Sequence, residues 1–192
     1  MITVVSGLPR SGTSLMMQML VAGGLPALTD GLRSADENNP KGYFEWEPAK
    51  ALKQDPDSIA SAEGKVVKII SALLVHLPEK HEYRVLFMMR PLEEVIASQN
   101  RMLERMGKPV PQTGTAAVIA AFQEHLKAVD GWLASKPYLK VLRVNHADVL
   151  AQPRELASAI GEFLGIAVSV ERMAAQVERS LYRERSGSMA SR

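Results

Sequence analysis

One segment near the start of the chain constrains it more than any other: Gly7-Leu8-Pro9-Arg10-Ser11-Gly12-Thr13-Ser14. It follows the β-branched apolar run ITVVS at residues 2–6 and precedes a helical pattern through Leu15, Met16, Met19 and Leu20. That order predicts strand, glycine loop, helix. In this setting the backbone N–H groups of residues 10–14 can converge on an anion at the positive end of a helix dipole. The loop fits the phosphate-binding pattern G-x-x-x-x-G-K-[ST] at every fixed position but one, where Thr13 replaces lysine.

The departure matters because, in a nucleotide kinase or hydrolase, the lysine holds the terminal phosphates and a strand-end Asp helps to hold magnesium. Here the later apolar runs end in Ile69-Ile70-Ser71 and Met89-Arg90. A positive charge, Arg90, stands where a metal-holding carboxylate would be expected. Arg10, Lys68 and Arg90 therefore suit a strongly anionic ligand bound without a divalent metal.

The rest of the chain alternates in the same way. Continuous apolar runs at residues 65–70 (KVVKII), 83–90 (YRVLFMMR) and 138–145 (YLKVLRVN) predict buried strands. Helical patterns fall at residues 92–106, 115–134, 153–164 and 169–180, with a short helix at about 48–54 opened by Pro48. Strands apolar on both faces and separated by helices imply a three-layer α/β/α fold around a parallel sheet of four or five strands, resembling the P-loop nucleotide-binding folds. One domain spans residues 1–192, with a long connection at about 24–47 and a basic tail at about 180–192.

Composition excludes several classes. The 23 Lys and Arg against 21 Asp and Glu leave no net polycation for nucleic acid or an anionic membrane. With no cysteine, thiol catalysis, disulfides and Cys-ligated metals are excluded. Residues 15–28 mimic a secretory signal only superficially, and no apolar run is long enough to cross a bilayer. A cytoplasmic location is the expectation.

Three motifs carry a resemblance. SGLPRSGTSLM resembles the 5′-phosphosulfate loop of sulfotransferases that use 3′-phosphoadenosine 5′-phosphosulfate (PAPS). Arg90-Pro-Leu-Glu-Glu-Val-Ile-Ala-Ser98 is similar to that family's 3′-phosphate motif, an Arg at a strand end with a Ser eight residues on. Residues 141–166 look like its late strand and following helix, with His146-Ala147-Asp148 where Tyr-Glu-Asp is usual. The resemblance implies sulfuryl transfer from PAPS as co-substrate. Pro9, Arg10, Ser11, Gly12, Thr13 and Ser14 would bind the 5′ end of the donor, and Arg90 and Ser98 its 3′-phosphate. Arg183 would belong to a shortened C-terminal segment folding back over the donor. Arg10, where many members carry Lys, would act as an electrostatic stabiliser because Arg stays protonated.

An acceptor hydroxyl needs a base. The segment NPKGYFEWEP at residues 39–48 concentrates aromatics and carboxylates and suggests a pocket wall, with Glu45 as the leading base and a pKa raised by apolar surroundings. Glu47 is the alternative that simply favours a helix start, and Asp36, Glu37 and His76 are further candidates. The acceptor would be a small-molecule, carbohydrate or peptide hydroxyl, or an amine; oligomeric state is left open. The competing readings are a magnesium-dependent P-loop kinase or hydrolase and a non-catalytic nucleotide-binding module.

Overall fold

The computed structural model of the chain describes residues 1–32, 42–110 and 114–178. Four parallel strands, β1 (Ile2–Gly7), β2 (Val66–Lys68), β3 (Tyr83–Met89) and β4 (Leu139–Asn145), pair in the order β2-β1-β3-β4. Among the described residues six α-helices accompany them: α1 (Thr13–Gly23), α2 (Leu92–Arg105), α3 (Thr115–Ala134), α4 (His146–Ala151), α5 (Pro153–Leu164) and α6 (Val170–Ala174).

Strand alternation divides the core into two layers. Ile2 and Val4 of β1, Val67 of β2, and Tyr83, Val85 and Phe87 of β3 face Leu52, Ile59, Leu74 and the Val129/Leu133 stripe of α3. Val5, Leu86, Met88 and Val144 face Met16, Met17, Met19 and Leu20 of α1 together with Ile160, Leu164 and Met173 of α5 and α6. The three-layer α/β arrangement is thus as expected, with four strands. β1 is buried throughout because it lies between β2 and β3, whereas β4 is exposed at Lys140, Arg143 and Asn145 because it forms an edge.

Several boundaries differ from the sequence reading for local reasons. The run KVVKII yields only three paired residues, although the Ile69 amide still bonds the Val5 carbonyl at 3.0 Å. The long connection is not all irregular, since Ala27 bridges Val66 in parallel and guards the sheet edge. The short helix expected at about 48–54 is a 3-10 turn over Glu47–Ala51, and Pro56–Ala62 and Ser71–His76 form two more such turns. Helix α6 stops at Ala174, where amides of Gln176 and Val177 bond three residues back and Val177 turns onto the core. Among the described residues no helix is long and apolar enough to cross a membrane.

Because β1 is followed by β2 on one side and flanked by β3 on the other, the chain reverses direction across the sheet between β1 and β3. Open parallel sheets place their ligands beyond the carboxyl ends of the strands at such a reversal. The loop of residues 7–12 occupies that place.

Candidate functional site

Three devices shape the loop. Gly7 (φ +145°) and Gly12 (φ +102°) both adopt backbone conformations that side chains disfavour, and neither has room for one. A Cβ at Gly7 would lie 2.7 Å from the Met88 carbonyl, and one at Gly12 2.5 Å from Cδ2 of His146. Arg10 adopts φ +74° without being glycine, a local strain of the kind that concentrates at functional sites.

At the helix entry Gly12 is the N-cap and no side chain caps α1, so its first-turn amides point outward past the loop. The Ser11 amide, by contrast, is used internally and bonds the Leu8 carbonyl at 3.1 Å. Of the amides of residues 10–14 expected to converge on an anion, Ser11 is therefore committed to the turn. Its hydroxyl is 1% exposed and finds no protein partner among the described residues. The hydroxyl is turned toward Gly7, whose missing Cβ leaves it room, and a buried hydroxyl without a partner carries a desolvation cost.

The start of α2 clasps the loop from the other side. Arg10 Nε donates to Ser98 Oγ at 3.1 Å, Arg90 Nη1 to the Arg10 carbonyl at 3.1 Å, and Gln99 Nε2 to the Pro9 carbonyl at 3.2 Å. Residues 80 to 90 apart in sequence thus meet at one end of the sheet. Arg90 is also paired with Glu94, 3.0 Å away, both side chains being under a tenth exposed. Glu94 was not anticipated from the sequence, where it looks like a helix-start acid. Its four-residue spacing from Arg90 is the signal that could have identified it.

His146, at the start of α4, is buried against Gly12. Burial, then the Arg90 guanidinium, lower its pKa to about 4, with Glu94 opposing both. At neutral pH the ring is therefore uncharged and acts as packing beneath the loop.

The acceptor-side candidates separate clearly. Tyr43 and Trp46 are buried, and Phe44 (φ +53°) packs onto the layer under α1, so the aromatics serve the core while half-buried Glu45 lies between them. The Glu45 carbonyl is fixed by the Thr29 hydroxyl at 2.8 Å and the Asp30 amide at 3.2 Å. Glu47 is exposed, pairs with Lys50 and opens a 3-10 turn, which is its helix-start role. Lys68 reaches the Tyr43 carbonyl with Nζ and lies 5.9 Å from the Tyr43 ring centroid, so it braces the pocket-wall segment. His76 ends the turn whose next residues, Leu77 and Pro78, accept hydrogen bonds from Tyr138 and Tyr83 at the starting ends of β4 and β3. That places it at the opposite end of the sheet from the loop, so it is not a base for this site. Asp36, Glu37 and Arg183 lie outside the described residues.

No family profile and no curated protein matches the sequence. Solved structures do match. A sulfotransferase domain from the curacin biosynthetic pathway aligns with TM-score 0.57 and 16% identity over 92% of this chain and 77% of that one. A sulfotransferase domain from the Synechococcus PCC 7002 olefin synthase aligns with TM-score 0.57 and 16% identity over 95% and 78%. Retinol dehydratase, solved with androsterone and the inactive cofactor PAP, aligns with TM-score 0.51 and 16% identity over 91% of this chain and 62% of that one. The fold of this chain is that of the sulfotransferases.

Proposed function

We propose that this protein is a sulfotransferase that moves a sulfuryl group from PAPS to a hydroxyl or amine of a small molecule, carbohydrate or peptide. The observation that carries the reading is the clasp on a sulfotransferase fold: Arg10, Arg90 and Ser98, far apart in sequence, meet at the glycine loop. Retinol dehydratase, of the same fold, was solved with the nucleotide product of such a donor.

In this reading the first-turn amides of α1 and Ser11 Oγ hold the 5′ phosphosulfate, and Thr13 and Ser14 add hydroxyls at the helix entry. Arg90 and Ser98 hold the 3′-phosphate, a guanidinium fork beside a hydroxyl. Ser98 already bonds Arg10 Nε, so donor binding exchanges that contact for phosphate and turns Arg10 toward the bridging oxygen. There its permanent charge offsets the negative charge that grows as the bond from sulfur to the 5′-phosphate oxygen breaks. The acceptor oxygen bonds sulfur from the far side, and Glu45 takes its proton. The reaction asks the protein for position and charge, which the loop and clasp supply.

Calorimetry with 3′-phosphoadenosine 5′-phosphate (PAP), with and without magnesium, tests the donor site. PAP should bind without metal, and Arg90→Ala should weaken it by about 2–5 kcal/mol. Glu45→Gln should retain PAP binding and lose transfer, read by mass spectrometry as the absence of a gain of about 80 mass units on a panel of hydroxyl compounds. Binding of ATP with magnesium in place of PAP would replace this reading with the kinase one.

A further inference from the structure

Arg90, just ahead of α2, and Ser98 and Gln99 within it hold the loop by hydrogen bonds on one flank of β1. A separate anchor stands on the other flank of β1. Ser71, the first residue of the turn after β2, is 1% exposed, and its Oγ lies 2.8 Å from Nε2 of His125 on α3. Neither residue belongs to the loop, the clasp or the pocket-wall segment.

The position of this pair follows from the packing. Along α3 the core-facing stripe is fully buried at Leu133 and Val129 but only half-buried at Leu126, His125 and Phe122. Apolar packing thins toward the N-terminal half of the helix, near the carboxyl end of β2. A hydrogen bond there fixes what the core no longer grips. The strand that it fixes touches the pocket-wall segment through the Lys68 side chain. Ile69 bonds Val5, two residues ahead of the loop; Lys68 bonds the Tyr43 carbonyl; and two residues further on is Glu45.

We infer that His125 is a positioning residue for the acceptor half of the site: by holding Ser71 it fixes the exit of β2, and through Lys68 the segment that carries Glu45, leaving the donor cradle to α2. The catalytic consequence rests on the sulfuryl-transfer reading; the mechanical one does not. The two half-sites are then independently braced, one by Ser98, Gln99 and Arg90 of the α2 flank, the other by Ser71 and His125.

The test uses the full chain and three variants, His125→Leu, His125→Gln and Ser71→Ala. It measures amide hydrogen exchange over residues 42–47, PAP affinity by calorimetry, and PAP release from PAPS with 2-naphthol or water as acceptor. His125→Leu should speed exchange at 42–47 by about tenfold or more and lower kcat by a similar factor, with PAP affinity held within about twofold. His125→Gln, which can still offer a side-chain nitrogen to Ser71, should recover most of both losses. Ser71→Ala should match His125→Leu, and the double variant should be no worse than either, as expected for two ends of one bond. Unchanged exchange in both His125→Leu and Ser71→Ala would overturn the assignment. So would a loss of PAP affinity in step with kcat, which would make the pair a general prop. Failure of the unaltered protein to bind PAP, or to release it from PAPS, would sink the transferase reading, while the exchange result still judges the anchor.

Discussion

The burial of His146 makes a quantitative prediction. In the unfolded chain a histidine takes up its proton near pH 6.5, but in the fold this ring stays neutral down to about pH 4, first because it is buried and second because Arg90 is near. Between those values the unfolded state binds more protons than the folded one, so stability present at neutral pH is lost as pH falls through the window. A difference of roughly 2.5 units at about 1.4 kcal/mol each amounts to about 3 kcal/mol, a large share of a typical domain's stability. Urea unfolding from about pH 7.5 to 4.5, for the unaltered protein and His146→Gln, compares the same set of carboxylates with and without the imidazole. The unaltered protein should lose about 2–3 kcal/mol more than the variant across that range, most steeply between about pH 6 and 4.5. Parallel curves would refute the claim that a neutral imidazole is trapped under the loop.

Further substitutions probe the same region. Gly12→Ala places a Cβ against His146 Cδ2 at a left-handed φ and should destabilise the fold by about 1–3 kcal/mol and abolish PAP binding. Adding His146→Ala should recover the steric part of the stability in thermal unfolding but not the part owed to backbone strain. Glu94→Gln removes the carboxylate from a buried ion pair with Arg90 and should cost up to about 3–5 kcal/mol. Because a 3′-phosphate can replace that carboxylate at the guanidinium, saturating PAP should raise the variant's Tm more than that of the unaltered protein. Equal shifts would detach Arg90 from the donor.

Wherever the deciding interactions lie within a few residues, the sequence is a sufficient guide. Loop and helix α1 follow from ITVVSGLPRSGTS because a strand, a glycine turn and an apolar helical run lie end to end. Helix α3 occupies Thr115–Ala134 as its periodicity predicts, and α5 runs from Pro153 to the left-handed cap at Gly165, both ends marked by residues that suit them. Arg10, Arg90 and Ser98 stand out for the charge and hydroxyl that they bring to a loop without lysine. Their mutual distances do not.

Contacts across the fold were settled only by register and packing. Arg10 reaches Ser98 88 residues away, and His125 reaches Ser71 across 54, because β1, β2 and β3 end together and helices α2 and α3 pass that edge. His146 stands where the resembling motif has a tyrosine, yet its close approach to Gly12, possible only without a Cβ there, exists only once β4 has paired with β3. The left-handed backbones of Arg10 and Phe44 likewise have no sequence signature, since neither is glycine. Near-neighbour chemistry names the parts of this site; the free energy of closing two core layers around one sheet decides which of them touch.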